Sequence, residues 1–343
     1  MLRTTITFQS LLALLFMALL IGLSLGSNSA VAQLSYSKGQ HLEPAYEGWR
    51  ENEDGTFTFM FGYFNENWEE ELDIPVGENN FFSPGDADRG QPTHFLPRRN
   101  RFTFEVVVPA DWGDKELIWE VRSPNGVSKR AYATLATDYV VDNVVIASET
   151  GSLGAGTSSP ESRANIAPVA QLIGDEIRTV RVGEPLTFQT RVTDDGVPEA
   201  DDPVEDIRRF LEFANQDDEA AALVNASPDA FHRMRMMRPP SKVTVDKVNG
   251  LYLSWNVYRG PDGKTEDVQD AVHFNPPQVK AWEDTRTSAN SPWGVLWTPP
   301  PIPEDGIYEV SVSFDEPGTY ILWGRADDGG LYHDQYMTVI VEP

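Results

Sequence analysis

Pro168–Pro198 reads PVAQLIGDEIRTVRVGEPLTFQTRVTDDGVP, and Ile307–Pro343 reads IYEVSVSFDEPGTYILWGRADDGGLYHDQYMTVIVEP. In the first stretch Leu186, Phe188, Thr190 and Val192 alternate with Thr187, Gln189 and Arg191 until Asp194-Asp195-Gly196 ends the run. Alternation with period two marks a strand that lays one face on a core. The second stretch holds three further strand-like runs, Ile307–Phe314, Tyr320–Arg325 and Gln335–Val341, broken by Pro-Gly and Asp-Gly turns. Together they predict the first and last strands of one sandwich, with Phe188 and Leu322 in a common core.

The chain between them has a different character and reads as an insertion at about 199–305. Ile207, Phe210, Leu211 and Ala214 fall at helical spacing. Lys242–Val248 and Leu251–Tyr258 read as a hairpin around Asn249-Gly250. Asn275–Pro303 is a loop rich in proline and tryptophan.

Upstream, Thr56–Phe64 (TFTFMFGYF) predicts a strand with Phe57, Phe59, Phe61 and Tyr63 on its single buried face. Arg101–Val108, Glu116–Val121 and Ser128–Leu135 add three more strands, and Pro75–Arg99 reads as a long irregular loop. These define a first β-sandwich domain over 41–147. Trp112 and Trp119 belong to its core. A Gly/Ser/Thr-rich run, within 148–163, predicts a flexible linker, and the second domain spans 164–343.

The N-terminus predicts an export signal over 1–32. Arg3 precedes the apolar run Leu11–Leu25, which is shorter than the roughly 20 residues a spanning helix needs, and Ala30-Val31-Ala32 fits signal cleavage. The expected location is the periplasm or exterior of a bacterium, with no membrane insertion after cleavage. There is no cysteine, so stability must come from burial rather than disulfides. A net charge of −26 repels nucleic acid and favours cations or basic partners.

Four motifs carry a resemblance: Val182-Gly183-Glu184-Pro185 leading into the alternating strand, Asp194-Asp195-Gly196, Glu316-Pro317-Gly318-Thr319-Tyr320 and Asp327-Asp328-Gly329-Gly330-Leu331. In these the second domain resembles the polycystic-kidney-disease-like and related bacterial immunoglobulin-like domains. The resemblance implies a tyrosine corner at Tyr320, a core tryptophan at Trp255, and a role as spacer or adhesion module. The resemblance does not extend to the first domain, whose motifs identify no family. The expected fold class is therefore all-β: two β-sandwich domains, the second immunoglobulin-like with a long, partly helical insertion.

Candidate binding residues are of two kinds. Asp194 and Asp195 (with Asp201 and Asp202) lie on one acidic loop, and Asp327 and Asp328 (with Asp334) lie on another. Loops at one end of a sandwich can converge, and Ca²⁺ takes roughly six to eight oxygen ligands, so calcium is the candidate cofactor. Asp-Asp-Gly is also ordinary turn chemistry. Trp282, Trp293 and Trp297 sit in the proline-stiffened loop, where they could stack on a glycan or a protein partner, or fold back as a cap. Basic residues cluster only at His232–Arg238, facing either the protein's own acidic surface or a partner.

Catalytic signals are missing from the sequence. The five histidines show no zinc spacing, and there is no G-x-S-x-G elbow. No catalytic residue is assigned. The leading expectation is an exported, non-enzymatic binding or envelope-associated protein that recognises glycan or protein through loops. Alternatives are a secreted polysaccharide hydrolase with carboxylates in the insertion, and a calcium-stabilised structural spacer.

Overall fold

Alternation along 186–193 builds the second sandwich. Phe188 and Val192 are buried while Thr187, Gln189 and Arg191 stay exposed. The computed structural model describes residues 38–67, 70–150, 159–200, 250–261, 268–278, 280 and 302–343. The export signal, the helix expected at 207–214, the strand expected at 242–248, the basic cluster and all three loop tryptophans lie outside those residues.

The first domain comprises β1 (Leu42–Glu51), β2 (Phe57–Asn65), β3 (Leu72–Asp73), β4 (Asn80–Ser83), β5 (His94–Phe95), β6 (Arg98–Val108), β7 (Leu117–Arg122) and β8 (Ser128–Ala133). One sheet runs β1-β2-β6, a second β4-β7-β8, and β3 pairs with β5. Phe59, Phe61, Phe82, Phe95, Phe104 and Trp119 form an aromatic core between the sheets. Phe82 stacks on Trp119 and Phe104 meets it edge-on. Trp112 is in the same core.

Two expectations for this domain need correction. β2 buries both faces rather than one. Met60, on the far side from Phe59 and Phe61, packs with Phe102, Val141, Ile146, Ala147 and Leu331. Val141 lies two residues before helix α1 (Asn143–Thr150), which supplies Ile146 and Ala147. The span Pro75–Arg99 is not wholly irregular, because β4, β5 and the first residues of β6 fall within it. Asn80 fixes this segment from inside. Its amide donates to the carbonyls of Ile74 and Pro92, and its oxygen accepts the Trp119 indole N–H at 2.9 Å.

After α1 come α2 (Pro160–Ala164), β9 (Val169–Ile173), β10 (Ile177–Arg181), β11 (Leu186–Thr193), β12 (Tyr252–Arg259), α3 (Val268–Ala271), β13 (Val272–Asn275), β14 (Ile307–Phe314), β15 (Gly318–Asp327) and β16 (Tyr332–Glu342). One sheet has the order β9-β11-β14-β13 and its partner β10-β16-β15-β12. The first edge thus splits between sheets, with β10 running parallel to the last strand. That strand arrangement is the immunoglobulin-like sandwich. Phe188 and Leu322 share its core with Trp255, Val310, Tyr320 and Val339. The Tyr320 hydroxyl donates to the Glu316 carbonyl at 3.1 Å, the corner expected of it. Trp255 has room because Gly324 lies opposite, where a Cβ would fall 2.5 Å from the indole.

The span read as an insertion supplies two strands of this sandwich, β12 and β13. The apolar alternation of Leu253, Trp255 and Val257, all buried in the core, draws β12 into the sheet beside β15.

Candidate functional site

Strands β12 and β15 have no free face. Leu253, Trp255 and Val257, with Leu322 and Ala326, point into the sandwich. Tyr258 and Trp323, of opposite parity, join the core of the first domain. The outer face of β12, β15 and the start of β16 is therefore the floor on which the first domain sits, while Ile177 of β10 and Ile340 of β16 stay exposed.

Arg325 anchors that contact. It is 1% exposed and forks onto Asp334, Nε to Oδ1 at 2.7 Å and Nη2 to Oδ2 at 2.8 Å. The same guanidinium donates to the carbonyls of Arg101 at 3.2 Å and Phe102 at 2.6 Å. It lies 3.9 Å from the centre of the Tyr332 ring and 4.7 Å from that of Trp323. Burial opposes the charge, but Asp334 outweighs it and holds the guanidinium protonated. Phe102 adopts φ +49°, a left-handed backbone costing about 1–3 kcal/mol that only a determined environment sustains. It falls in the irregular stretch of β6 opposite Phe61–Tyr63. Gly62 is required there, because a Cβ would stand 2.5 Å from the Asn100 carbonyl.

The edge strand β12 is closed by the segment that precedes β6. Thr93 N–H donates to the Tyr258 carbonyl, Tyr258 hydroxyl donates to the Gly90 carbonyl, and Arg259 grips Asp88 at 2.7 and 3.0 Å. Lys280 Nζ donates to the Pro97 carbonyl at 2.6 Å. Covering an edge in this way removes a site of aberrant strand pairing. Deeper in, His94 is buried between Asp73 (2.8 Å) and Glu71 (2.6 Å), and Asp73 also accepts the Val268 N–H. Burial disfavours the imidazolium, but Asp73 and Glu71 together outweigh this and raise its pKa to about 10.

A groove of about 830 Å³ remains along this junction. Arg50 and Glu105 line it from the first domain, and Tyr332, Asp334 and Tyr336 from β16. Arg50 and Glu105 pair at 2.9 Å with roughly two-fifths of each side chain exposed. Burial pushes the Glu105 carboxyl up, Arg50 partly offsets this, and Asp334 adds to it. Tyr332 and Tyr336 are half-buried, and Tyr258 meets Tyr336 edge-on at 5.1 Å. The groove thus combines aromatic faces with a paired cation and anion. Asp334 is occupied by Arg325 and by the Trp323 indole N–H, which leaves it a positioning part rather than a reactive one.

The four aspartates singled out in the sequence are all engaged in turns. Asp194 accepts from Gly196 N–H and Asp195 from Val197 N–H. Asp327 accepts from Gly329 N–H, and Asp328 accepts from Gly330 and Leu331 N–H at 2.6 and 2.7 Å. Turn chemistry accounts for one oxygen of each. Among the described residues, the one set of three or more acidic or histidine side chains with ligand atoms inside 4.8 Å is His41, Glu43 and Glu66, so the four aspartates do not form a four-carboxylate cage. In the His41 group, Glu43 is already held by Lys129 at 2.8 Å. The junction residues Arg325 and His94 were missed in sequence, where neither has a neighbour in the chain that signals its burial.

No protein-family profile matches this sequence, and no curated protein matches it. Solved structures similar to this one include domains 4 and 5 of the S-layer protein SbsC (9% identity, 89% of this chain and 98% of that chain, TM-score 0.21). Another is the D00–D0 domain of intimin (11% identity, 88% and 100%, TM-score 0.21). A chimeric titin Z1Z2 (10% identity, 89% and 100%, TM-score 0.21) is a third. Such scores carry nothing about ligand or activity, and the immunoglobulin-like assignment rests on the strand order. Among the described residues no helix is long and apolar enough to cross a membrane.

Proposed function

We propose that this chain is an exported, envelope-associated binding protein without catalytic activity, and that its ligand, a glycan, lies in the groove between the two sandwiches. One observation carries the reading: two half-buried tyrosines, Tyr332 and Tyr336, share a groove of about 830 Å³ with the Arg50–Glu105 pair. Aromatic rings stack on the C–H faces of sugars, and a paired cation and anion offer donors and acceptors to hydroxyl groups. Concave surfaces between domains are the usual place for such ligands. The loop tryptophans Trp293 and Trp297 remain a second candidate surface for the same ligand class.

The test is retention of the full chain on a panel of immobilised polysaccharides, comparing wild type with Tyr336→Ala, Arg50→Ala and a Trp293→Ala/Trp297→Ala double variant. Groove recognition predicts at least tenfold weaker retention for the first two with circular dichroism unchanged, while the tryptophan double variant binds normally. Loss confined to the tryptophan variant would move the site to that loop. Absence of retention on every polysaccharide would remove the glycan reading, and release of reducing ends would replace binding by hydrolysis.

A further inference from the structure

A second, smaller cavity of about 310 Å³ lies at the junction of the two sandwiches and shares no described lining residue with the groove. Glu71 and His94 reach it from the first domain, and Asn256, Gln269, His273 and Gln278 from the second. The other described lining residues are apolar, Phe274 among them. Cavities of this size between domains, with a few fixed polar groups on apolar walls, are the common form of a small-molecule site. At the roughly 30 Å³ that one water takes in the liquid, this one suits a molecule of about ten non-hydrogen atoms.

Its polar groups are held before any ligand arrives. Gln278 accepts the Trp255 N–H at 2.9 Å and donates to the Pro276 carbonyl at 2.8 Å. Asn256 spends its Nδ2 on Ser254 Oγ at 2.9 Å, which leaves the amide oxygen to offer. His94 spends both ring nitrogens on Asp73 and Glu71. Only Oε2 of Glu71 is used there, and Oε1 remains an acceptor. Groups fixed in this way bind a ligand without the cost of ordering them.

The charge of the cavity selects its occupant. Asp73 and Glu71 flank the His94 imidazolium, so the trio keeps a net negative charge. No described lining residue is a lysine or an arginine, and the His273 imidazole pairs with Asp315 at 2.8 Å. An anion would therefore be repelled with no cation to receive it, while a cation would be drawn in. Phe274 puts an aromatic ring in the wall, a surface that also favours cations.

We propose that this cavity binds a small molecule through a protonated amino group, an amine or an amino sugar, with Glu71 as its counter-charge. The amides of Asn256 and Gln269 then serve the hydroxyl or other polar groups that such molecules carry.

The experiment is calorimetric titration of the full chain with glucosamine hydrochloride, then separately with glucose, sodium glucuronate and CaCl₂. Glucosamine should bind at one site and raise the thermal midpoint by mass action. Glucose, which has a hydroxyl in place of the ammonium, should bind at least tenfold more weakly, and glucuronate should give no heat. Gln269 is exposed on α3, so changing it spares the core. Gln269→Lys should weaken glucosamine binding at least tenfold, and Gln269→Glu should strengthen it. Glu71→Gln should weaken it as much as Gln269→Lys does. If Glu71→Gln fails to fold, the two Gln269 variants carry the test. Absence of heat with glucosamine, equal binding of glucose and glucosamine, or a response to calcium alone overturns the proposal, as does a glucosamine affinity that neither Gln269 substitution moves.

Discussion

The Arg325 guanidinium, rooted in the last hairpin of the second sandwich, donates to the Phe102 carbonyl of the first at 2.6 Å across 223 residues of sequence. The same group neutralises Asp334. Removing one partner of a buried pair leaves the other as an uncompensated charge, at about 3–5 kcal/mol. Arg325→Ala should therefore lose about that much in urea unfolding. Arg325→Lys should recover only part, since an ammonium cannot reproduce the fork on Asp334 and the two carbonyl bonds together. A loss below about 1 kcal/mol for Arg325→Ala would refute the anchoring role.

His94 gives the junction a pH dependence. Its folded pKa of about 10 lies above the ordinary 6.5, so the folded state keeps a proton that the unfolded chain releases between those values. Its contribution is fully present below pH 6.5 and declines as pH rises toward 10, by up to about 1.4 kcal/mol per pH unit. Denaturation curves at pH 6, 8 and 9.5 should show that decline in wild type and a flatter profile in His94→Gln. Equal slopes in both proteins would count against the buried imidazolium between Asp73 and Glu71.

Gly324 makes space for Trp255. A methyl there would fall 2.5–2.8 Å from three indole carbons, and overpacking of this kind costs about 1–3 kcal/mol. Gly324→Ala should destabilise by that amount, and combining it with Trp255→Phe should cost less than the sum of the two single changes. Strict additivity would show that the indole shifts aside without strain.

Tyr320→Phe removes the hydroxyl that reaches the Glu316 carbonyl while keeping the ring against Phe314. The expected loss is about 1 kcal/mol, read as a lower thermal midpoint, and an unchanged midpoint would show that the corner hydrogen bond contributes nothing.

The second sandwich was legible because its strands obey a strict period. Phe188 and Leu322 share one core as their alternation required, and Trp255 and Tyr320 occupy the positions implied by the resemblance. β1 was not legible. Its bulge between Tyr46 and Gly48 switches the inward face, so Leu42, Pro44 and Tyr46 alternate in one phase and Trp49 in the other. β3 and β5 have two residues each, too few to show any period. Arg325 sits in Ile-Leu-Trp-Gly-Arg-Ala-Asp, where a charge just before an acidic turn reads as a surface residue. Its acceptors lie far away in sequence, and no local pattern can announce them. The acidic turns were legible as turns, since Asp194, Asp195, Asp327 and Asp328 each accept a backbone N–H two or three residues on.

A sheet clad on both sides changes what counts as a separable piece of this protein. Expressed alone, residues 164–343 would lay bare Tyr258, Trp323 and the unpartnered edge of β12, with Arg325 stripped of two carbonyls. A fragment so exposed would be prone to stick to its own copies.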